Sequence, residues 1–410
     1  MTAFENPFKP GAGHMPPYLA GRTKEQDRFR QLLKQGDTIT ENLVLTGLRG
    51  VGKTVLLETL RPAARENRWL WTGADMSESA TVTEEKLALR LITDVSVITS
   101  TLLQHRSVRQ PIGFSRALEA DSRSIGFQEL MATYNETPGL VVDKLKAVLT
   151  FVWRAVAGHV NGIVFAYDEA QILSDKAKQG EFPLSMLLEL FQALQRQGMK
   201  FMLVLTGLPT LFPRLVESRT YSERMFHVMF LTQLTDSESR DAIVKPTLEA
   251  GSPFRFEEST VLSIMRLSGG YPYFIQFIGR EIFDVCLTKI DAGEPLTIPE
   301  EAIVSKLDND FFAARWERAT DRERELLFVS SSLPNCDDEF TVSDIVNLSQ
   351  QRLEKPFSAS QTNQMLARLS DKGLVFKNRH GKYLFAVPLM ARFVRRQYQR
   401  YPDLFSSRFS

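Results

Sequence analysis

The sequence contains few of the residues that build disulfide frameworks or zinc sites. Its 410 residues include two cysteines, Cys286 and Cys336, with no C-x-x-C spacing, and five histidines scattered along the chain. No run of about 18 apolar residues is present, so we expect no transmembrane helix. The first residues show no basic head followed by an apolar stretch, so no signal peptide is expected. These absences favour a reducing compartment, and we expect a cytoplasmic protein.

The chain has a net charge of only +1, but its charged residues are unevenly distributed. Residues 341–410 hold twelve Lys or Arg against four Asp or Glu, a net charge of +8, and the other 340 residues carry −7. A basic end of this kind suggests an acidic partner, with nucleic acid as the first candidate. The alternative is a solvated basic face without a partner.

The most specific motif is G-L-R-G-V-G-K-T at 47–54, which fits the pattern G-x-x-x-x-G-K-[ST]. An apolar run at 43–46 precedes it and a helix-like stretch at 55–60 follows it. This context places a glycine-rich loop before the positive end of a helix, where backbone N–H groups wrap a phosphate. We expect Lys53 to reach the β- and γ-phosphates and Thr54 to offer its hydroxyl to Mg²⁺. The motif therefore predicts a nucleotide site.

A second apolar run, 163–167, ends in Asp168 and Glu169. Uninterrupted apolar runs of this length are typical of strands buried on both faces of a parallel sheet. We expect Asp168 to hold Mg²⁺ and Glu169 to orient and polarise an attacking water. Thr206 ends the next strand candidate, where its hydroxyl either senses the γ-phosphate or caps the following helix.

Three arginines, Arg214, Arg219 and Arg224, follow the strand that ends at Thr206. An arginine in this region can project into a neighbouring subunit as a finger that stabilises charge in phosphoryl transfer. Arg219 is the preferred candidate and Arg224 the second. A surface salt bridge is the alternative for each of them.

Strand candidates alternate with helical patterns in the first half of the chain. Five of them predict an α/β fold with a three-layer parallel sheet of the P-loop type, in which 104–138 is an irregular insertion. Only helical patterns follow, and then two short strands joined by an Asn/Gly turn at 378–381, as in a winged helix-turn-helix. The predicted domains are an extended N-terminal segment at 1–20, a P-loop ATPase core at 21–233, a helical lid at 234–318 and a winged-helix domain at 319–410.

The basic end and the winged-helix pattern together suggest double-stranded DNA as a partner. Arg368 lies on the predicted recognition helix beside polar residues at 361–364, whose side chains suit base edges. Lys377, Arg379 and Lys382 lie on the predicted wing, where phosphate contact is the usual role. Because many winged helices bind proteins, the alternative is a signalling switch whose winged helix mediates protein contacts. A kinase is disfavoured, since no module for a phosphate acceptor is apparent.

The order of these motifs resembles one family. The motifs are G-R-x-x-E at 21–25, the loop at 47–54, Y-D-E-A at 167–170, L-T-G-L-P at 205–209 and G-Y-P at 270–272. With the winged helix, this order is similar to that of prokaryotic AAA+/STAND-type ATPases related to archaeal origin-recognition proteins, across residues 16–398. The resemblance implies an ATP-binding, Mg²⁺-dependent ATPase that acts as a molecular switch and couples ATP to DNA binding or to homo-oligomer assembly.

The resemblance also implies two nucleotide contacts outside the loop. Arg22 would lie near the adenine, and Pro272 would contact the nucleotide from the lid. The helix after Pro272 lacks the early arginine of many such lids, which leaves Arg280 as a weak candidate with a solvated helix charge as the alternative. The predicted nucleotide-binding residues are Arg22, Gly47, Arg49, Gly50, Val51, Gly52, Lys53, Thr54, Val55 and Pro272. The predicted catalytic residues are Lys53, Glu169, Thr206, Arg219 and Arg224, and the predicted metal ligands are Thr54 and Asp168.

Overall fold

The computed structural model describes residues 4–11, 13–36, 40–107, 125–379 and 381–400, with the backbone alone at 101–107, 177 and 379. Two compact units are present. The sheet unit consists of Thr23–Thr46 and Lys53–Phe230, and the lid unit consists of Met1–Arg22, Gly47–Gly52 and Leu231–Ser410. Within the described ranges, no helix combines the length and the apolar character that crossing a membrane requires.

The sheet unit is built around five strands in the order β2-β3-β4-β1-β5. These are β1 (Asn42–Gly47), β2 (Trp69–Thr72), β3 (Gly162–Tyr167), β4 (Phe201–Gly207) and β5 (Phe226–Leu231). The pairs β1–β4, β2–β3 and β3–β4 are parallel. Their carboxyl ends therefore share one edge of the sheet, which is the edge where parallel α/β sheets bind ligands. All five strands were predicted from their apolar runs, and the predicted fold class is confirmed.

Helices flank this sheet and supply the rest of its core. They are α1 (Thr23–Gln35), α2 (Lys53–Glu66), α3 (Glu78–Thr81), α4 (Glu84–Ser107), α5 (Phe127–Glu136), α6 (Val141–Val156), α7 (Pro183–Arg196), α8 (Leu211–Ser218) and α9 (Ser222–Met225). Every residue of β3 and β4 is buried, as expected for strands covered on both faces. Phe165 shows how the layers interlock, because its ring meets those of Phe191 and Phe201 edge to face at 5.2 and 5.8 Å.

The segment 104–138 is more regular at its ends than predicted. Helix α4 continues to Ser107, and α5 occupies Phe127–Glu136, so the expectation of an irregular insertion is wrong for these parts. Gly126 precedes α5, and its N–H donates to the Glu129 carboxylate at 2.8 Å, a cap that starts the helix after a glycine. Residues 108–124 lie outside the described part of the chain.

The lid unit continues with helices and a second, smaller sheet. Its helices are α10 (Asp236–Glu249), α11 (Glu258–Ser268), α12 (Pro272–Ala292), α13 (Glu300–Leu307), α14 (Ala314–Trp316), α15 (Asp321–Ser331), α16 (Val342–Arg352), α17 (Ala359–Asp371) and α18 (Met390–Arg400). The strands β6 (Phe340–Thr341), β7 (Val375–Arg379) and β8 (Lys382–Phe385) form an antiparallel sheet in the order β6-β8-β7. The predicted hairpin is present. Strand β6 was not predicted, because a strand of two residues leaves no pattern in the sequence.

Four helices of the lid unit begin with capping boxes, which explains why their starts are visible in the sequence. In each, a Ser or Thr side chain accepts from the N3 backbone N–H, and the N3 side chain returns to the cap N–H. The pairs are Thr235–Glu238, Thr320–Glu323, Thr341–Asp344 and Ser358–Gln361. Each capping box therefore fixes the residue at which its helix begins.

Residues 4–11 and 13–20 form no helix or strand, and they belong to the lid unit. That this segment is extended stays a prediction. Phe8 is 1% exposed and its ring lies 6.2 Å from that of Phe283. Asn6 donates to the Asp284 carboxylate at 2.7 Å, and Gln276 accepts from the Lys9 backbone N–H at 3.0 Å. This segment therefore belongs to the hydrophobic core of the lid unit.

Candidate functional site

The phosphate loop leaves the buried strand β1 and ends where α2 begins at Lys53. Gly50 and Gly52 have φ values of +80° and +87°, in the left-handed region that glycine adopts without strain. A Cβ at Gly50 would also lie 3.2 Å from the Cβ of Tyr273, so the position is sterically close as well. Left-handed glycines just ahead of a helix are typical of loops whose backbone N–H groups bind phosphate.

Two groups of the lid unit hold the carbonyls of this loop. The guanidinium of Arg22, 6% exposed, donates from Nη2 to the Val51 carbonyl at 2.9 Å and to the Thr232 carbonyl at 2.8 Å. The backbone N–H of Tyr273 donates to the Gly50 carbonyl at 3.1 Å. Arg22 therefore positions the loop backbone directly, and its adenine contact stays a prediction.

Pro272 is the first residue of α12, as its fixed φ favours. The N–H that follows it, on Tyr273, is the group that binds Gly50, so this helix end faces the phosphate loop. A contact between Pro272 and nucleotide stays a prediction. Arg280, further along α12, is half-exposed and lies 4.0 Å from Asp284, which agrees with a surface charge.

Arg315 is a further cation whose charge acts on Arg49 of the phosphate loop, and the sequence alone does not reveal it. Burial lowers the pKa of Arg315 below its ordinary value, and repulsion from the guanidinium groups of Arg49 and then Arg318 lowers it further. Arg49 itself is exposed. Arg315 and Arg49 therefore lie close enough for their charges to repel each other. No local motif marks Arg315, which lies far from the loop in the sequence.

The predicted metal ligands meet in the sheet unit. The Thr54 hydroxyl donates to Oδ2 of Asp168, and the Glu169 backbone N–H donates to Oδ1 at 2.7 Å. Asp168 is 3% exposed, and burial raises the pKa of its carboxyl, opposed by these hydrogen bonds and by the charge of Lys53. A cavity of about 380 Å³ opens onto Thr54 and Asp168 and is also lined by Asp75.

These oxygen donors fit Mg²⁺, which prefers one or two carboxylates, hydroxyls and retained water. A buried carboxylate whose hydrogen bonds come from a hydroxyl and an amide keeps lone pairs for a cation. In the described ranges, no group of three or more His, Cys, Asp or Glu side chains forms a metal-binding cluster of its own. The substrate phosphates and water would therefore complete the coordination.

Glu169 follows Asp168 on the same edge of the sheet. It is exposed and has a φ of +52°, which is unusual for a residue other than glycine and common at functional sites. Its carboxylate accepts a hydrogen bond from Nε2 of Gln171. An exposed carboxylate next to the predicted metal ligand suits a group that orients water, and this role of Glu169 stays a prediction.

Thr206 lies in β4 opposite Leu45 of β1 and is fully buried. Among the described residues its hydroxyl has no hydrogen-bond partner, and α8 receives no side-chain cap. The capping alternative is therefore excluded within this part of the chain. A role in sensing phosphate stays a prediction.

The three arginines after β4 separate in space. Arg214 donates to the backbone carbonyl of Gln171, next to Glu169. Arg219 forms a half-exposed ion pair with Glu189 at 3.2 Å. Arg224 lines a cavity of about 640 Å³ beside Glu41 and Lys200, which precede β1 and β4. Arg224 thus lies at the amino ends of the strands, and a finger role for it or for Arg219 stays a prediction that requires a second copy of the chain.

The basic residues of the C-terminal region divide into two groups. Arg368 and Lys377 are exposed, and Lys382 is half-buried, so these predicted DNA contacts lie at the surface. The side chain of Arg379 lies outside the described part, although its backbone ends β7. Thr362 is fully buried and its hydroxyl donates to the Ser358 carbonyl, so it cannot read a base edge as proposed.

The second group is engaged inside the lid unit. Lys372 pairs with Glu323 at 2.6 Å, and Arg396 donates to Asp308 from Nε at 3.0 Å. Arg392 donates to the Arg266 carbonyl at 2.8 Å. The net charge of the C-terminal sequence therefore overstates the positive charge that this region offers to a partner.

Comparison with known families agrees with the loop geometry. Residues 18–216 match the model of the AAA ATPase domain, and residues 309–394 match a domain of unknown function, DUF8462. No curated protein matches the chain. Thr54, Asp168 and Glu169 all lie within the AAA ATPase match. The domain and the geometry together support ATP hydrolysis as the activity of this chain.

Solved structures share the fold along nearly the whole chain. The Walker-type ATPase PABY2304 of Pyrococcus abyssi is 15% identical, with a TM-score of 0.60, and the alignment covers 95% of this chain and 99% of that one. The ORC2 protein of Aeropyrum pernix, solved as ADPNP–ADP complexes, is 14% identical, with a TM-score of 0.52 and coverage of 96% and 98%. At these identities the likeness establishes the fold.

Proposed function

Because residues 18–216 match an AAA ATPase domain, we propose that the chain is a nucleotide-driven switch of the origin-recognition-like type. ATP binding and hydrolysis would be coupled to the binding of double-stranded DNA by the C-terminal region. One observation carries the proposal: Gly47–Gly52 belongs to the same compact unit as the lid and the C-terminal elements. Phosphate bound by this loop therefore acts on the unit that holds the exposed basic residues.

The contacts of the loop indicate how phosphate would be sensed. The Gly50 carbonyl accepts from Tyr273 of the lid, and the Val51 carbonyl accepts from Arg22. The N–H and the carbonyl of one peptide unit move together because the unit is planar. A phosphate that accepts hydrogen bonds from the loop N–H groups would therefore also reorient the carbonyls that bind these partners. Occupancy of the loop and the position of α12 are thereby linked, as a molecular switch requires.

The hydrolysis step follows from the sheet unit. Glu169 would orient a water so that its oxygen attacks the γ-phosphorus, the bond to the bridging β–γ oxygen breaks, and Glu169 receives the proton of the water. Lys53 would neutralise charge on the phosphate oxygens. Thr54 and Asp168 would hold Mg²⁺, which would supply further neutralisation of the phosphate charge.

The origin-recognition-like assignment is supported by the structural likeness to the ORC2 protein of Aeropyrum pernix, solved as ADPNP–ADP complexes. Its fold covers nearly all of this chain, including the C-terminal elements. Homo-oligomer assembly with ATP is a second output of such a switch, and it would give Arg219 or Arg224 access to the site of a neighbouring copy.

The first experiment uses Glu169→Gln, which keeps the size of the side chain and removes the base. We expect ATP turnover to fall by about 100-fold or more, while the dissociation constant for ATP changes by less than about threefold. Glu217→Gln, an exposed residue of α8, is the control for loss of one carboxylate. Unchanged turnover in Glu169→Gln would contradict the catalytic role.

The same variant tests the coupling to DNA. Its affinity for a fluorescent DNA duplex is measured with ATP, with ADP and without nucleotide, and the ATP and ADP states should differ by about fivefold or more. Equal affinities would contradict the switch. Absence of DNA binding at low salt would contradict the DNA partner and favour the protein-contact alternative, and light scattering with ATP reports any assembly.

A further inference from the structure

Glu169 is held by a neighbouring side chain that no motif assigns. Its carboxylate accepts from Nε2 of Gln171, two residues later in the 3₁₀ turn Ala170–Ile172. The backbone of Glu169 is in the left-handed region, so the turn reverses the chain sharply after β3. The side chain of Gln171 can thereby reach back to the carboxylate that precedes it.

The other end of the Gln171 amide binds the next strand. Its Oε1 accepts from the Leu208 backbone N–H at 3.0 Å, just after β4. A Cβ at Gly207 would lie 2.7 Å from this Oε1, so only glycine leaves room for the amide there. The Gln171 carbonyl in turn accepts from the Arg214 guanidinium. Gln171 therefore joins the carboxyl end of β4 to the loop after β3.

From this geometry we propose that Gln171 is a positioning residue that aims the Glu169 carboxylate at the attacking water. The inference rests on the catalytic role of Glu169 in the proposed function. Glutamine is suited to the task because its amide has a donor end for the carboxylate and an acceptor end for a backbone N–H. Fixing the base in one orientation raises the rate of proton transfer without changing nucleotide affinity.

The decisive variant is Gln171→Glu, which has nearly the same shape. It keeps an acceptor for Leu208 and replaces the donor to Glu169 with a second carboxylate. We expect kcat to fall by about tenfold, with the KM for ATP within about twofold, because the lost interaction acts in the transition state. Gln179→Glu, an exposed glutamine in the turn Ala177–Gln179, is the matched control for one added charge.

The pH profile separates positioning from a structural effect. Two adjacent carboxylates raise the pKa of the pair, so the acid limb of kcat should move to higher pH in Gln171→Glu. In Gln171→Met, which removes the amide without adding charge, kcat should fall similarly while the acid limb does not move to higher pH. Circular dichroism melting checks that both variants are folded.

The outcomes distinguish this inference from the proposed function. If Gln171→Glu and Gln171→Met both retain wild-type kcat and pH profile while Glu169→Gln is inactive, Gln171 has no positioning role. A higher kcat in Gln171→Met would also overturn the inference, since Gln171 would then restrain the base. If Glu169→Gln hydrolyses ATP at the wild-type rate, the role of Glu169 fails and that of Gln171 fails with it.

Discussion

Asp168 and Glu323 lie in different units, and both are almost fully buried but have opposite surroundings. Asp168 of the sheet unit is 3% exposed, and its hydrogen bonds come from a hydroxyl and a backbone N–H. Glu323 of the lid unit is 1% exposed and pairs with Lys372 at 2.6 Å. Asp308, also 1% exposed, pairs with Arg396 in the same unit.

The pKa shifts follow from these partners. Burial raises the pKa of Asp168. Burial acts in the same direction on Glu323, but the Lys372 ammonium and the hydrogen bonds of Thr320 outweigh it and lower the pKa. Removing the cation from a buried ion pair leaves an uncompensated charge, which is costly, whereas a buried carboxylate without a cation partner is a candidate ligand site. The partner of each acid thus distinguishes a structural role for Glu323 from the proposed functional role of Asp168.

The largest effect is expected for Asp168→Asn, which removes the proposed metal ligand. ATP turnover should fall by about 100-fold or more, since the metal contributes several kcal/mol of charge stabilisation. A steady-state assay across a Mg²⁺ titration measures this, with Asp27→Asn as the control, because Asp27 is an exposed partner of Arg30. Turnover that matches the wild type would contradict the assignment.

The same variant should stabilise the metal-free fold. A folded pKa above the ordinary aspartate value means that the charged form is disfavoured, so stability is lost as pH rises through that pKa. Asn carries no charge, and at pH 7 in EDTA we expect Asp168→Asn to unfold at a higher urea concentration than the wild type. A less stable variant would show that Asp168 is a structural acid like Glu323.

The second effect concerns Lys372→Met, which leaves Glu323 buried without its cation. We expect a loss of about 2–3 kcal/mol at pH 7 in urea unfolding, because a lone buried charge is costly. The folded pKa of Glu323 is lowered, so the stabilisation is present above the ordinary glutamate range and is lost as pH falls through the folded pKa. The difference in unfolding free energy between the variant and the wild type should therefore become smaller at acid pH.

Lys355→Met, at an exposed position in the same region, is the control for this loss of charge. A difference that does not change between neutral and acid pH would indicate that lost packing, and not the ion pair, causes the destabilisation. If Lys372→Met and the wild type have nearly the same free energy of unfolding, the ion pair of Glu323 does not stabilise the fold.

The smallest effect concerns the cations that face outward. Lys377→Ala with Lys382→Ala should lower the slope of log DNA affinity against log salt by about two, with a modest loss of affinity at about 50 mM salt. The control pair is Lys86→Ala with Lys178→Ala, two exposed lysines of the sheet unit. An equal slope change in both pairs would show that the C-terminal lysines contact no DNA in particular.

The strands and most helix starts could be predicted from the sequence because their signals are local. The apolar runs of β3 and β4 and the capping box Thr235–Glu238 each lie within a few residues. The end of α4 at Ser107 was missed, since weak periodicity beside Pro111 and Gly113 resembles a loop. The prediction that Thr362 contacts bases is wrong, because the polarity of a side chain does not show which face of a helix it lies on.

The phosphate loop and the Asp168–Glu169 pair are determined by the sequence itself, because each is a contiguous motif whose spacing dictates its chemistry. The tertiary structure alone decided which distant groups meet them. Gln171 reaches Leu208 only because β3 and β4 are neighbours in the sheet. Likewise, Lys372 forms an ion pair with Glu323, 49 residues away, and this pairing makes it a poor candidate for contact with DNA. Composition counts such charges equally, whereas burial and pairing, which depend on the packed fold, determine what each one does.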